Sequence, residues 1–158
     1  MPDKTNGFSP EGEENMLVST KGRYALRVMI DLAEHQSEEL IPLRVIARRQ
    51  EISEKYLESI IKLLVRARFL SGLRGKGGGY RLTRPPEQYT VGSILRLTEE
   101  SLAPVSCIEP NAAACPRASE CRTLAMWQGL DEVINRYLDG ITLADLIRQG
   151  STGDNYVI

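Results

Sequence analysis

The stretch ISEKYLESIIKLLVRARFLSGLRGKGGGYRL, residues 52–82, contains a change of hydrophobic period that decides the fold. In its first half, apolar residues recur at helical spacing, and Ser53 is a favourable N-cap for the helix that they predict. In its second half, residues 69–73 predict a strand, residues 74–79 a glycine-rich turn and residues 80–82 a return strand. The buried stripe predicted for the helix consists of Tyr56, Leu57, Ile60, Ile61, Leu64 and Val65.

Two helical patterns precede this stretch. The first helix begins after Ser19 or Thr20 and fades at residues 35–37, and a second, short helix begins at Pro42. Helices joined by a short turn and followed by a hairpin predict a mostly helical fold, the winged helix-turn-helix. In such folds the third helix lies in the major groove of duplex DNA, and the hairpin reaches the backbone or the minor groove.

The C-terminal half has helical patterns on both sides of an irregular loop. Thr90 caps a predicted helix over residues 91–99, and a long helix is predicted from about Cys121 to Leu138, ended by Gly140. The apolar residues expected along that long helix are Leu124, Trp127, Leu130, Val133, Ile134, Tyr137 and Leu138. The predicted segments are a disordered leader at 1–15, a winged helix-turn-helix DNA-binding domain at 16–86, a connecting helix and cysteine loop at 87–120, a long and a short helix at 121–148, and a flexible tail at 149–158.

Composition and charge bound the class of protein. The chain has 158 residues, of which 42% are hydrophobic and 26% charged, as is normal for a soluble globular protein. It has no apolar run near the roughly 18–20 residues that span a bilayer, and its N-terminus does not resemble a secretory signal, so we expect a cytoplasmic protein without a membrane partner. Residues 17–85 carry fourteen Lys and Arg against seven Asp and Glu, whereas residues 86–158 carry five against ten. The basic block indicates a polyanionic partner.

Polar side chains on the outer face of the third helix are candidate base readers. Residues 53–59 are best placed for base edges, whereas Lys62 and Arg66 suit phosphates. For these residues taken alone, the alternative is an ordinary solvated face of an amphipathic helix. Nothing in the sequence predicts an enzyme, because there is one histidine and neither an HExxH nor a GxSxG motif.

The hairpin tip favours a DNA-binding function over the solvated-face alternative. It places Arg74, Lys76 and Arg81 around four glycines, which remove side-chain bulk and permit positive φ, so that backbone and cations can approach phosphates closely. A nucleotide-binding loop is disfavoured, since the run lacks the GxGxxG and Walker patterns and returns as a strand.

The cysteines lie together in CIEPNAAACPRASECRTL, residues 107–124, at Cys107, Cys115 and Cys121. In a cytoplasmic protein such a group is more often metal-binding or redox-active than a disulfide framework, and three thiols cannot form a closed set of disulfides. The residues alone leave open an iron–sulfur cluster, a zinc site, a thiol redox switch and surface thiols without a metal.

The motifs STKGRYALRVMIDLA, ISEKYLESIIKLLVRARFL and LRGKGGGYRLTR, with VGSILRLTEE and ITLADLI further on, closely resemble a family of bacterial winged-helix regulators. That family includes the iron–sulfur cluster regulator IscR, the nitric-oxide-sensing repressor NsrR and the cysteine-metabolism repressor CymR. The resemblance covers about residues 16–148 and implies a homodimeric transcription factor, a repressor in many members, that binds double-stranded DNA. It also implies that the long helix from Cys121 to Leu138 is the dimerisation helix.

The resemblance implies DNA contacts at the positions that match the family. These are Ser53, Tyr56 and Glu58 at the start of the recognition helix, and Arg74 at the wing. Glu54 and Lys55 differ from the best-known members, which affects the operator sequence. The full set of candidate DNA-binding residues is Lys21, Tyr24, Ser53, Glu54, Lys55, Tyr56, Glu58, Ser59, Lys62, Arg74, Gly75, Lys76, Gly77 and Tyr80.

The resemblance further implies a 2Fe–2S or 4Fe–4S cluster on the three cysteines, because a group of members binds one just before the dimerisation helix. Two features depart from that group: the first gap has seven residues instead of five, and Leu124 stands where IscR-like members have a ligating histidine. The partner-subunit acid used by other members falls at Arg23. The fourth ligand is left open among Glu109, Glu120, another oxygen donor, solvent and a small thiol. The alternative is a regulator without a cluster, acting by thiol redox or through a sulfur-metabolism enzyme, as CymR does.

Overall fold

The computed structural model describes residues 18–151, which form six α-helices and one two-stranded antiparallel sheet. Three short 3-10 turns lie at Pro86–Gln88, Ser106–Ile108 and Ala118–Glu120. The helices and strands are α1 (Thr20–Glu34), α2 (Leu43–Gln50), α3 (Glu54–Arg66), β1 (Leu70–Leu73), β2 (Gly79–Leu82), α4 (Val91–Thr98), α5 (Leu124–Asp139) and α6 (Leu143–Ser151). The predicted leader and most of the predicted tail lie outside the described residues.

The predicted caps begin α1, α3 and α4. Ser19 Oγ accepts a hydrogen bond from the Gly22 N–H at 3.1 Å, and Ser53 Oγ accepts one from the Tyr56 N–H at 3.2 Å. Thr90 forms a capping box with Ser93, in which each side chain bonds the other residue's backbone N–H. These bonds satisfy N–H groups that a helix start leaves without a partner.

The three N-terminal helices enclose an apolar core, and the hairpin closes one side of it. The inward faces contribute the fully buried residues Ala25, Val28, Met29, Ile46, Leu57, Ile60 and Leu64. Leu70 pairs with Leu82 at the base of the hairpin, where both are buried. Ile41, just before α2, exchanges backbone hydrogen bonds with Tyr80 at 3.0 and 2.8 Å, which fastens β2 to the helical body.

The core continues across the predicted boundary at residue 86. Tyr89 is completely buried, and its hydroxyl donates to the Phe69 carbonyl at 2.8 Å while accepting from the Thr83 and Arg84 N–H groups at 3.1 and 3.0 Å. The buried Leu143 of α6 joins the same core. The hairpin base, α4 and α6 are therefore packed as one body with α1–α3.

The long helix α5 begins at Leu124, three residues later than predicted, because residues 121–123, which follow the 3-10 turn at Ala118–Glu120, are not helical. No residue of α5, all of which the structure describes, is buried. Arg96 of α4 fastens α5 to the body by donating to Asp139 Oδ1 at 2.7 Å and Oδ2 at 3.0 Å.

The last helix is longer than predicted, since α6 continues through Gly150 to Ser151. Ile147 packs partly against the core near the end of this helix. Among residues 18–151, the structure contains no helix of the length and apolar character needed to cross a membrane.

Candidate nucleic-acid interface and cysteine segment

The outer face of α3 is open to solvent along its length. Glu54, Lys55, Glu58, Lys62 and Arg66 are exposed, and the Lys62 ammonium lies 3.2 Å from Glu58 Oε1. An exposed pair of this kind contributes a few tenths of a kcal/mol at most, about 0.3–0.5 kcal/mol for residues four apart on a helix. Both side chains can therefore exchange this contact for another at little cost.

The wing tip projects away from the body of the protein. Gly75 and Gly77 have φ angles of 95° and 77°, in the left-handed region that favours glycine, and a side chain built on either would meet nothing within 4 Å. Arg74 and Lys76 are exposed beside them. At the other end of the turn, a Cβ on Gly79 would lie 2.5 Å from the Ile41 carbonyl, so a glycine is needed where the hairpin meets the body. The tip is thus free while its base is fixed.

The wing and α3 border the same two clefts. A cleft of about 910 Å³ is lined by Arg44, Glu58, Arg74, Lys76 and Tyr80, among others. On the far side of the wing strand, a second cleft of about 370 Å³ is lined by Lys62, Val65, Arg66, Gly72, Arg74 and Tyr80, together with Ile61. Arg74 lines both clefts, so the fold brings the predicted helix and wing residues to one basic surface.

Four predicted contact residues are already engaged within the protein. Tyr24 and Tyr56 are half-buried and meet edge to face, with ring centroids 5.8 Å apart. The Ser59 hydroxyl donates to the Tyr56 carbonyl at 2.7 Å, and Ser53 caps α3. Lys21, on the first turn of α1, is half-buried. The contacts of the two tyrosines and the two serines support α3. Half-burial leaves Tyr24, Tyr56, Ser59 and Lys21 with less side chain to offer a ligand than the exposed residues have.

Arg44, which was not among the predicted DNA-binding residues, lies near the start of α2 and lines the larger cleft. Its position followed a predicted helix start and carried no motif. The signal that could have found it is geometric: β2 is fastened to Ile41, immediately before α2, and this brings the wing and the α2 N-terminus together.

The cysteine segment, residues 107–121, is exposed except at Ile108 and Glu109, which are half-buried. Cys107 lies in the turn Ser106–Ile108, Cys115 in the loop that follows, and Cys121 just after the turn Ala118–Glu120, all as exposed free thiols. The Cys121 Sγ lies 3.5 Å from the Thr123 hydroxyl oxygen. Hydrogen bonds from that hydroxyl, and from backbone N–H groups at the start of α5, lower the pKa of the Cys121 thiol.

The donors needed for a metal site do not converge in this arrangement. Within the described part of the chain, no group of three or more His, Cys, Asp or Glu side chains is placed to hold a metal ion. Leu124, the position of the IscR-like histidine, is the first residue of α5. The residues as placed therefore do not fit a cluster without movement of the cysteine segment.

The solvent side of α5 carries an apolar stripe. Met126 is 55% exposed, Leu130 37%, Val133 55% and Tyr137 68%. The spacing of four, three and four residues is that of a coiled-coil seam. The sequence predicted three of these residues and missed Met126. The other predicted residues of the helix, Leu124, Trp127, Ile134 and Leu138, are half-buried.

Comparison with known proteins identifies the family. A family model described as Rrf2, iron-dependent transcriptional regulator, matches residues 18–149. The chain belongs to the Rrf2 family of transcriptional regulators. It is 40% identical over 136 residues to the protein rrf2 of Nitratidesulfovibrio vulgaris, a match that covers 86% of this chain and 90% of that protein.

Two solved structures of Rrf2-type regulators share the fold. CymR of B. subtilis, described as the global cysteine regulator, has a TM-score of 0.67 and 33% identity and covers 84% of this chain and 97% of its own. IscR of T. potens has a TM-score of 0.67 and 34% identity and covers 90% of this chain and 94% of its own. The predictions of a winged-helix regulator and of a protein that is not an enzyme are confirmed.

Proposed function

We propose that this Rrf2-family regulator binds duplex DNA as a symmetric dimer, with α3 in the major groove and the wing against the phosphate backbone or the minor groove. One observation carries the proposal: exposed polar residues of α3 and the wing residue Arg74 line common clefts, with Glu58 in the larger one and Lys62 and Arg66 in the smaller one. Glu58 sits in the larger cleft where a base edge would be read, and Arg74 and Lys76 sit where phosphates would lie.

The apolar stripe of α5 supports the dimer. A row of half-exposed apolar side chains, Met126, Leu130, Val133 and Tyr137, is costly to leave in water, and a second copy of the same helix offers a self-complementary surface. A symmetric pair of α5 helices would place two α3–wing units on one duplex. Each unit would then read one half of a two-fold symmetric site.

Salt dependence of DNA binding tests the DNA part of the proposal. Dissociation constants for a 30-base-pair duplex, measured by fluorescence anisotropy between low and moderate salt, should rise steeply, since each neutralised phosphate contributes about 0.9 to the slope of log affinity against log salt. Weak binding without a salt slope would reject a DNA-binding function and favour a protein-interaction module.

We propose further that residues 107–121 form the sensing segment, with Cys107, Cys115 and Cys121 as ligands of an iron–sulfur cluster. Three exposed thiols within fifteen residues, the soft character of thiolate ligands, and the iron-dependent description of the family support this. Because the donors do not converge in the structure, this segment has to close up on binding.

Anaerobic purification tests the cluster directly. The proposal predicts a coloured protein with iron and acid-labile sulfide in comparable amounts, and loss of the visible absorbance in Cys115→Ala. Ser119→Ala, in the same exposed segment, is the matched control and should keep the colour. Anaerobic protein that contains neither iron nor sulfide would reject the cluster and leave the DNA-binding proposal intact.

A thiol switch without a cluster is the second candidate, favoured by the lowered pKa of Cys121 and by the exposure of all three thiols. It predicts that a mild oxidant changes DNA affinity in metal-free protein. Replacement of all three cysteines by serine should abolish that response without changing the affinity of the reduced protein.

A further inference from the structure

Among the side chains that the structure describes, Asp31 is the buried charged one, with 1% of its surface exposed. It lies on the face of α1 that packs against α2. A buried carboxylate costs several kcal/mol unless charged and hydrogen-bonding partners surround it. The partners of Asp31 therefore decide what this buried charge does in the fold.

The partners of Asp31 are the last two residues of α2. Arg49 donates from Nε to Asp31 Oδ2 at 3.0 Å and from Nη2 to Oδ1 at 2.5 Å, and Gln50 Nε2 donates to Oδ2 at 2.8 Å. His35 Nδ1 lies 3.8 Å from Oδ1, beyond hydrogen-bond distance. The two-pronged pairing of a guanidinium with a carboxylate fixes orientation as well as distance. Asp31 thus holds the end of α2 in one orientation against α1.

The end of α2 leads directly into the recognition helix. Gln50 is followed by Glu51, whose φ of 55° turns the chain, and then by the buried Ile52 and the α3 cap, Ser53. Two intervening residues separate the residue that Asp31 holds from the first cap of α3. A rotation of the end of α2 would therefore be passed on to the start of α3.

A second set of contacts connects the end of α2 to α3. Arg27 donates from Nε to Gln50 Oε1 at 3.1 Å and from Nη2 to the Gln50 carbonyl. The Arg27 guanidinium carbon lies 5.1 Å from the Tyr24 ring centroid, and Tyr24 packs against Tyr56 in the first turn of α3. These contacts connect Gln50 to Tyr56 through Arg27 and Tyr24.

We propose that Asp31 is a positioning residue for DNA recognition, which sets the orientation of α3 through Arg49, Gln50 and Arg27 without itself touching DNA. The inference rests on the proposed function. Apolar packing favours a class of crossing angles for α1, α2 and α3 with a scatter of about 15–20°, so the core alone does not fix one angle for α3. The directional carboxylate network fixes that angle, at the cost of burying a charge.

The test compares specific with non-specific DNA binding in Asp31→Asn, which keeps the volume of the side chain and weakens its pairing with Arg49. The specific probe is a duplex selected by the wild-type protein from a random pool, and the non-specific probe is a scrambled duplex of equal length. Misplacement of one base contact costs about tenfold or more in specificity. The expected result is at least a tenfold fall in the ratio of specific to non-specific affinity, with non-specific affinity within about threefold of wild type.

The ratio of specific to non-specific affinity distinguishes a misplaced α3 from a partly unfolded protein. Partial unfolding lowers the active fraction and reduces both affinities by the same factor, which leaves the ratio unchanged. Arg49→Lys keeps the positive charge and removes the two-pronged geometry, so it should lower the ratio too, and it decides the question if Asp31→Asn does not fold. Asp145→Asn is the matched control, since it weakens the Asp145–Arg148 pair within α6, outside α3, the wing and α5, and should leave the ratio unchanged.

The outcomes are distinct for the two levels of the proposal. If the wild-type protein selects no sequence and its DNA binding has no salt slope, the proposed function fails. The positioning role of Asp31 is wrong, and the proposed function stands, if the wild-type protein selects a sequence and folded Asp31→Asn keeps the wild-type ratio. If Asp31→Asn does not fold, the same conclusion follows from a wild-type ratio in folded Arg49→Lys.

Discussion

Val133→Asp tests the proposed dimer at the centre of the α5 stripe. Full burial of an aliphatic side chain is worth about 1.5–3 kcal/mol, and 55% of Val133 is exposed. Covering that part in a dimer is therefore worth about 1 kcal/mol per protomer, or about 2 kcal/mol for the symmetric pair. The substitution removes this gain and places two carboxylates in one apolar interface, which costs several kcal/mol more.

The dimer dissociation constant of Val133→Asp should therefore rise by a factor of about 100 or more. Sedimentation equilibrium over a wide concentration range measures this constant, and circular dichroism shows whether the helices are retained. Gln128→Glu is the matched control, because it adds a negative charge on the opposite side of α5 and should leave the constant within about threefold of wild type. A folded Val133→Asp protein that dimerises as tightly as wild type would refute the assignment of the stripe as the dimer interface.

Three further substitutions have defined expectations. Arg74→Ala should weaken duplex binding at moderate salt and lower the salt slope by about 2, because each of the two protomers loses one phosphate contact, whereas Arg81→Ala, which lines a different cleft beside His35, should do neither. Equal losses of affinity in the two variants, measured by fluorescence anisotropy, would contradict the wing assignment. Glu58→Ala should change the sequence selected from a random duplex pool more than it changes the overall affinity. An unchanged selected sequence would show that Glu58 does not contact bases. Glu51→Gly should raise the free energy of unfolding in urea by about 0.5–1 kcal/mol, because Glu51 ends α2 with a φ of 55° that glycine adopts without strain; an unchanged or lower value would count against this reasoning.

Local signals in the sequence account for much of the fold. Ser19, Ser53 and Thr90 are caps because a short hydroxyl side chain just before a periodic apolar run satisfies the first N–H groups of a helix. The switch from period 3.6 to a glycine-rich hairpin located the wing, since few other residues allow the positive φ at Gly75 and Gly77. These features depend on neighbours a few residues apart, which sequence patterns capture well.

Contacts between residues that are distant in the chain could not be predicted from sequence patterns. Asp31 and Arg49 are 18 residues apart, and nothing local distinguishes Asp31 from a solvated acid on the outer face of α1. The rings of Tyr24 and Tyr56 meet edge to face between α1 and α3, a contact between residues far apart in the chain that no local pattern indicates. The start of α5 at Leu124 was missed because the helix begins after Thr123 without a side-chain capping hydrogen bond, so no cap pattern marks it.

Selection of duplex DNA from a random-sequence pool by the wild-type protein tests the central claim most directly, namely that two α3–wing units read one duplex. The account predicts enrichment of an inverted repeat whose half-sites are separated by one helical turn or a multiple of it, about 10 base pairs centre to centre. An enriched single half-site without its inverted copy, or no enrichment at a salt concentration where the protein is folded, would contradict it.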